Sequence, residues 1–249
     1  MIVSRIEDVD VQNGSVLLVD KPLRWTSFDV VNKIKYEIRR QSGCKKFKIG
    51  HAGTLDPLAT GLLIVCIGKY TKQIPEFQQQ QKQYEGTFTI GATTASYDLE
   101  KTPENFMPYN HITEEEILFA ANKFMGTIQQ YPPVFSAVRI NGKRAFEYAR
   151  NEKEVALQAK EVTVYAFDII RMALPEIDFK ITCSKGTYIR SIARDFGEAL
   201  GCGAYLSRLR RTKTGDFSVE NAIDMTPFID VNKEINPERR LRGFETFAK

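Results

Sequence analysis

Residues 50–61 read GHAGTLDPLATG and carry one acid, Asp56, between glycine-flanked turns and directly before Pro57. Gly50, Gly53 and Gly61 permit tight backbone geometry, while Pro57 fixes the next φ and removes a backbone donor. Such a loop can hold a lone carboxylate rigidly at a cleft. The same pattern also suits an aspartate that only caps a turn, so spacing alone leaves both readings open.

A second site breaks a local rule. In CSKGTYIRSIARDFGEALG the Thr187 hydroxyl can cap a helix, which places Arg190 at the third helical position. The helix macrodipole disfavours a cation there by about 0.3–1 kcal/mol. An inward-facing anion would compensate, and Asp56 is the best candidate partner. The alternative is a contact along the helix surface, among its neighbours Arg194 and Asp195.

Other chemistries are excluded by spacing. GLLIVCIGKYT resembles a phosphate loop, but six residues separate Gly61 from Gly68 and Tyr70 stands where a magnesium-holding Ser or Thr is required. GCGAYL lacks the last glycine of a dinucleotide fingerprint. Ser136 and Ser184 have no G-x-S-x-G setting, and a Ser or Cys nucleophile would need His51 or His111 as its base. No second acid in the loop forms a glycosidase pair with Asp56. The four cysteines, Cys44, Cys66, Cys183 and Cys202, show no C-x-x-C spacing, so neither a disulfide framework nor a zinc site is suggested.

The 249 residues are 43% hydrophobic and 27% charged, the composition of an ordinary soluble globular protein with a sizeable core. No apolar run can cross a bilayer and the N-terminus lacks a signal-peptide layout, which reads as cytoplasmic. A net charge of +4 is too mild to name a polyanionic partner, but its distribution is uneven. RRQSGCKKFK, from Arg39 to Lys48, holds five cations and no acid, and RLRRTK and RRLR repeat the pattern. One such cluster is ordinarily a solvated face; three bring nucleic acid into view.

The elements that must position these residues are legible in outline. GSVLLVDKP reads as a buried strand closed by a turn. Thr26 and Asp29 have capping-box spacing ahead of a helix whose apolar stripe is Val30, Val31, Ile34 and Ile38. LLIVCIG is a second buried strand. Residues 84–90 alternate, so Tyr84, Phe88 and Ile90 share one face. Thr113 and Glu116 open a helix that Gly126 is expected to close, and strands return at 162–172 and 177–183. Ile189, Ile192, Ala193, Phe196 and Leu200 fall at helical spacing before the stop at Gly201. Pro75 interrupts a helix expected after Lys69. The mixed order predicts an α+β fold rather than a doubly wound parallel sheet.

Five motifs in order resemble the bacterial tRNA pseudouridine synthase B family. They are VLLVDKP, GHAGTLDPLATGLLIVCIGKYTK, KQYEGTF, YPPVFSAVRINGKRAFEYAR and CSKGTYIRSIARDFGEALGCGAYLSRLRR, within about residues 14–227. The resemblance implies the pseudouridine synthase fold, a mixed and mainly antiparallel sheet flanked by helices with a central catalytic cleft. It implies isomerisation of uridine 55 in the tRNA T loop to pseudouridine, by a flipped-base mechanism without cofactor or metal. Asp56 matches the family's catalytic aspartate, which attacks either C1′ of the sugar or C6 of the base. Arg190 matches the arginine that pairs with it and keeps it ionised. Tyr84 matches the tyrosine that stacks on the base near the C5 proton. His51 matches the histidine that supports the displaced nucleotide, and Tyr188 and Leu209 match residues lining the uridine pocket. From the residues alone, Tyr84 would be an inward strand residue, and Leu209 and Tyr188 would be core.

The resemblance further implies a catalytic domain over residues 1–229, with an RNA-binding thumb inserted at about 131–157. There Arg139, Lys143, Arg144 and Arg150 would meet phosphates of the T arm. Residues 230–249 form a short basic tail where many members carry a PUA domain. The expected partner is the T-arm stem-loop of tRNA, bound by a monomer with no membrane association. Two other readings share the basic clusters: a non-catalytic tRNA-binding or RNA-folding protein, and a synthase acting on another RNA.

Overall fold

The computed structural model describes residues 1–133, 135, 139–140, 143–144 and 158–228. In chain order its strands and helices are β1 (Ile2–Val3), β2 (Ser15–Lys21), α1 (Ser27–Ser42), β3 (Ile49–His51), β4 (Ala59–Ile67), α2 (Ile74–Gln79), β5 (Lys82–Ile90), α3 (Glu114–Asn122), β6 (Gly126–Gln130), β7 (Arg139–Ile140), β8 (Lys143–Arg144), β9 (Lys160–Ala173), β10 (Glu176–Cys183), α4 (Ile189–Leu200), β11 (Ala204–Thr214), β12 (Phe217–Ser218) and β13 (Ile223–Asp224). One large sheet runs in the order β1-β2-β4-β11-β5-β10-β9-β6, with β3 beside β4, β12 beside β11 and β13 beside β2; β7 and β8 pair with each other. Three pairings, β1/β2, β4/β11 and β2/β13, are parallel and the others antiparallel. The fold is α+β, as the mixed order of elements predicts.

Burial explains why β2 and β4 read as continuous apolar runs rather than alternating ones. One face, with Leu17, Val19, Leu63 and Val65, packs on the Val30, Val31, Ile34 and Ile38 stripe of α1. The other, with Val16, Leu18, Leu62 and Ile64, packs on Phe77 of α2 and Phe217. A strand covered on both faces has no solvent side to keep polar. A separate core joins α3 and α4 to β5, β9, β10 and β11, centred on Phe88, Phe179 and Phe196. Tyr84, Phe88 and Ile90 all face it, as the alternation predicts.

The capping boxes of Thr26 with Asp29 and Thr113 with Glu116 both form. Two helix boundaries differ from expectation. Gly126 does not close α3, which ends at Asn122; its φ of +87° instead opens β6. The Thr187 hydroxyl donates to Ser184 O and does not cap α4, whose N-cap is Tyr188, so Arg190 is the second helical residue. A hydroxyl can satisfy its own turn as readily as the helix that follows, and here the turn wins. Pro75 causes no break, because the chain forms a short 3-10 turn over 68–73 and Pro75 sits in the first turn of α2, where its missing N–H costs nothing.

The parallel contact of β4 with β11 requires a glycine at Gly61. Its φ is +102°, and a Cβ there would lie 2.3 Å from Arg211 O. Gly53 is also left-handed, whereas Gly50 is not. Most of the expected thumb and all of the expected tail, Arg150 included, lie outside the described residues; Arg139, Lys143 and Arg144 fall on β7 and β8. No described helix is long and apolar enough to cross a membrane.

Candidate active site

Asp56 stands in the turn between β3 and β4, with its side chain 39% exposed, and the residues on both sides of it are tied down. Ser27, the first residue of α1, accepts from Leu55 N at 2.9 Å and donates to Leu55 O at 3.2 Å. On the other flank Arg24 N donates to Pro57 O at 2.8 Å. The fully buried Lys21 ammonium spans Pro22 O at 2.9 Å, Trp25 O and Pro57 O at 3.5 Å. Burial pushes Lys21 down to about 7, with the nearby Asp56 and Asp29 carboxylates opposing the fall. The VDKP turn and the start of α1 thus clamp the backbone around the acid.

Arg190 reaches this acid from the first turn of α4. Its Nε lies 3.0 Å from Asp56 Oδ2 and 3.6 Å from Asp98 Oδ2. Its other nitrogens donate to Ser96 O at 3.3 Å and Phe135 O at 3.0 Å. The guanidinium is 5% exposed, and burial alone would lower its pKa, but Asp56, Asp98 and Glu100 hold it above its ordinary value. Arg194, not Arg190, makes the helix-surface contact, to Asp195. The anion that the dipole rule calls for is therefore Asp56 together with Asp98.

Asp98 has no sequence motif to announce it. Burial pushes its carboxyl up while Arg190 pulls it down. It is delivered by Tyr97, a non-glycine residue at φ +62°, which turns Ser96 O and the Asp98 carboxylate toward the same guanidinium. A left-handed tyrosine costs on the order of 1 kcal/mol, and fixed contacts hold it: Leu206 N donates to Tyr97 O at 2.9 Å, and Arg194 lies over its ring.

Tyr84 lies on β5, opposite Ile181 of β10 and Arg211 of β11. It is half-buried, and burial raises its phenol pKa, while the nearby Arg211 guanidinium acts against that shift. Arg211 is a second residue that spacing did not single out. It is 2% exposed and donates to Leu62 O at 2.7 Å and Gly53 O at 3.1 Å, tying β11 to the turn that carries Asp56. His51 ends β3, half-buried, with its pKa lowered by burial and by the Arg211 charge. Leu209 is 9% exposed and shares a cluster with Leu55 and Tyr84, level with Ala59 of β4. Tyr188 is the N-cap of α4, its backbone bracketed by the side chain of Gln130.

The structure thus joins Asp56 directly to Arg190, and joins Tyr84 and His51 to the same neighbourhood through Arg211. Leu209 and Tyr188 take positions that a core residue and a helix cap would also take. A cavity of about 490 Å³ between α3 and β9, lined in part by Leu118, Phe119, Tyr165 and Asp168, contains none of these residues. Burial also makes the thiols inert, pushing Cys66 up to about 12 and Cys183 up to about 11.

Arranged this way, the site can present one oriented carboxylate, held by a guanidinium that is itself held, with the Tyr84 ring paired across the sheet with the buried cation Arg211. Among solved structures the fold is similar to that in a Cbf5-Nop10-Gar1 complex, with a TM-score of 0.65 at 29% identity, covering 89% of this chain and 54% of that one. It is also similar to an H/ACA RNP bound to a substrate RNA containing 2′-deoxyuridine, with a TM-score of 0.60 at 26% identity, covering 86% and 52%. The chain spans about half the length of those proteins.

Similarity to curated proteins runs nearly end to end. The tRNA pseudouridine synthase B of Flavobacterium johnsoniae is 56% identical over 216 residues, 86% of this chain and 94% of the relative. That of Phocaeicola vulgatus is 51% identical over 220 residues, 88% and 94%. The N-terminal domain of the TruB family pseudouridylate synthases matches residues 39–189, and the tRNA pseudouridylate synthase B C-terminal domain matches 190–244. The border between these two matches falls inside α4, between Ile189 and Arg190, so the acid lies in the first match and its guanidinium opens the second. Carrying both halves of that ion pair in the order these matches give, the chain belongs to the TruB family of pseudouridylate synthases.

Proposed function

We propose that this pseudouridine synthase isomerises uridine 55 in the T loop of tRNA, with Asp56, Arg190 and Tyr84 carrying the reaction. The bond between N1 of the base and C1′ breaks, a bond between C5 and C1′ forms, C5 loses its proton, and N1 gains one, taken from C5 or from solvent. No redox change or net addition occurs, so the chain's own side chains suffice in principle. Asp56 supplies the ionised nucleophile, toward C1′ or C6, and Arg190 holds it in place. Tyr84 stacks on the base and sits next to the C5 proton. A base inside a folded loop must leave its stack first, and the Tyr84 face and the Leu209 wall offset part of that loss. His51 supports the displaced nucleotide, and Tyr188 completes the pocket.

The observation that carries this reading is the 3.0 Å contact of Arg190 with Asp56, made by residues 134 positions apart (190 minus 56) that a vestigial RNA-binding pocket has no need to keep. The partner is expected to be recognised largely by the shape of the T arm and by its splayed bases. The test is tritium release from a tRNA transcript labelled at C5 of uridine, comparing the protein with Asp56→Asn. Release by the first and none by the second is expected. Equal release by both, or none by either, would discard the catalytic reading, and mapping the altered uridine separates position 55 from any other.

A further inference from the structure

Gln130 ends β6 and is 1% exposed. Both ends of its side-chain amide meet one residue: Oε1 accepts from Tyr188 N at 2.8 Å and Nε2 donates to Tyr188 O at 3.1 Å. Tyr188 is the N-cap of α4 and makes no capping bond with its own side chain. Two further bonds lie alongside. Ser191 Oγ donates to Tyr131 O at 2.8 Å, and Arg190 donates to Phe135 O at 3.0 Å. Among the described residues, Gln130, Tyr131 and Phe135 are therefore stitched to Tyr188, Arg190 and Ser191 by four hydrogen bonds, two of them made by one glutamine.

Local bonds hold only part of this turn: Tyr188 O accepts from Ile192 N at 3.2 Å and the Thr187 hydroxyl donates to Ser184 O at 3.0 Å. The expected Thr187 cap is absent, and Arg190 is a cation in the first turn, where the dipole opposes it. A buried peptide N–H at a helix start must still find an acceptor. Gln130 supplies that acceptor and a donor for the carbonyl of the same residue, from a neutral group. A glutamate could supply only the acceptor and would add another carboxylate to a site where Arg190 already faces Asp56 and Asp98.

We infer that Gln130 is a positioning residue of the isomerisation: by fixing the Tyr188 peptide it sets the first turn of α4, and with it the point at which the Arg190 guanidinium meets Asp56. The inference rests on the function proposed above. A displacement near 1 Å at a reacting group can cost up to about 100-fold in rate, so a tether two residues from Arg190 has leverage on chemistry without touching RNA.

The test uses Gln130→Met, which keeps length and volume and deletes both bonds. Single-turnover tritium release at saturating T-arm stem-loop RNA is measured with RNA affinity and the thermal midpoint. The expected result is a rate at least about tenfold lower with affinity within about threefold of the parent. In an Arg190→Lys background, adding Gln130→Met is expected to lower the rate by less than about twofold, because the tether acts through the group already lost. A parent-like rate for Gln130→Met, or losses that multiply in the double variant, would overturn the inference. Should Gln130→Met melt below the assay temperature, Gln130→Asn, one methylene too short to reach both atoms, gives the same two readouts. A parent protein that releases no tritium would instead overturn the proposed function, and this inference with it.

Discussion

The Arg190 Nε stands 3.0 Å from Asp56 and 3.6 Å from Asp98, so one buried cation is shared by an acid that is partly open to solvent and an acid that is sealed. The sealed one anchors the cation, and the open one remains available to a substrate. Removing either partner has different consequences.

Arg190→Lys keeps the charge but not the divergent donors that reach Asp56, Ser96 O and Phe135 O at once. Single-turnover tritium release is expected to fall by about 100-fold or more. Arg190→Ala leaves Asp98 buried without its counter-charge and is expected to cost about 3–5 kcal/mol in urea unfolding. A lysine variant with parent-like rates would show that the guanidinium geometry is immaterial.

Asp98→Asn retains an acceptor for Glu100 N, now 3.0 Å away, and removes the negative charge 3.6 Å from Arg190 Nε. With its second anchor weakened, Arg190 is less well fixed on Asp56. The rate is expected to drop at saturating RNA by about tenfold, with little change in affinity. Quench-flow and filter-binding measurements on the same preparation separate the two.

Ser27→Ala deletes both bonds to the Leu55 peptide, the residue before Asp56. An unsatisfied buried N–H and C=O there is expected to cost about 1–3 kcal/mol. The effect on turnover should appear in kcat rather than KM, because Ser27 is 2% exposed and holds the loop from behind. A change confined to KM would argue against that role.

Lys21 gives a pH signature. Its folded pKa of about 7 lies below the ordinary 10.5, so between these values the unfolded chain binds more protons than the native one. Stability therefore rises with pH through that window, by at most about 1.4 kcal/mol per unit for one proton. Lys21→Met should lose this rise. Urea midpoints at pH 7, 8 and 9 that run parallel for the two proteins would remove Lys21 as its source.

Arg39, Lys45 and Lys46 are exposed at the far end of α1 and the loop after it, and among the described residues none has a carboxylate within 4 Å. Arg40, by contrast, is paired with Glu37. Free cations of this kind suit RNA phosphates. Replacing all three by Ala is expected to weaken T-arm RNA binding and reduce the slope of log affinity against log salt by about two, leaving the rate at saturation unchanged. An unaltered slope would place the RNA elsewhere.

Local signals were sufficient for much of this molecule. Capping boxes are visible because both members lie three residues apart, and β2, β4 and α4 are visible because burial imposes a periodicity on neighbouring residues. Arg190 was conspicuous because it violates a local rule, and that violation correctly pointed to an anion, although its helical position was one off once the Thr187 hydroxyl turned to Ser184. The order of its motifs is enough to place the chain in its family. Asp98, Gln130, Arg211 and Lys21 were not legible as site residues, and each owes its place to a partner far along the chain: Arg190 for Asp98, Tyr188 for Gln130, Gly53 for Arg211 and Pro57 for Lys21. A buried polar group takes whichever donor or acceptor the packed elements bring within about 3 Å, and sequence spacing carries no record of that choice. The sequence by itself determined which elements form and which acid and arginine matter; only the packing of β6, β11 and the 94–98 turn around the start of α4 decided what holds those two residues together.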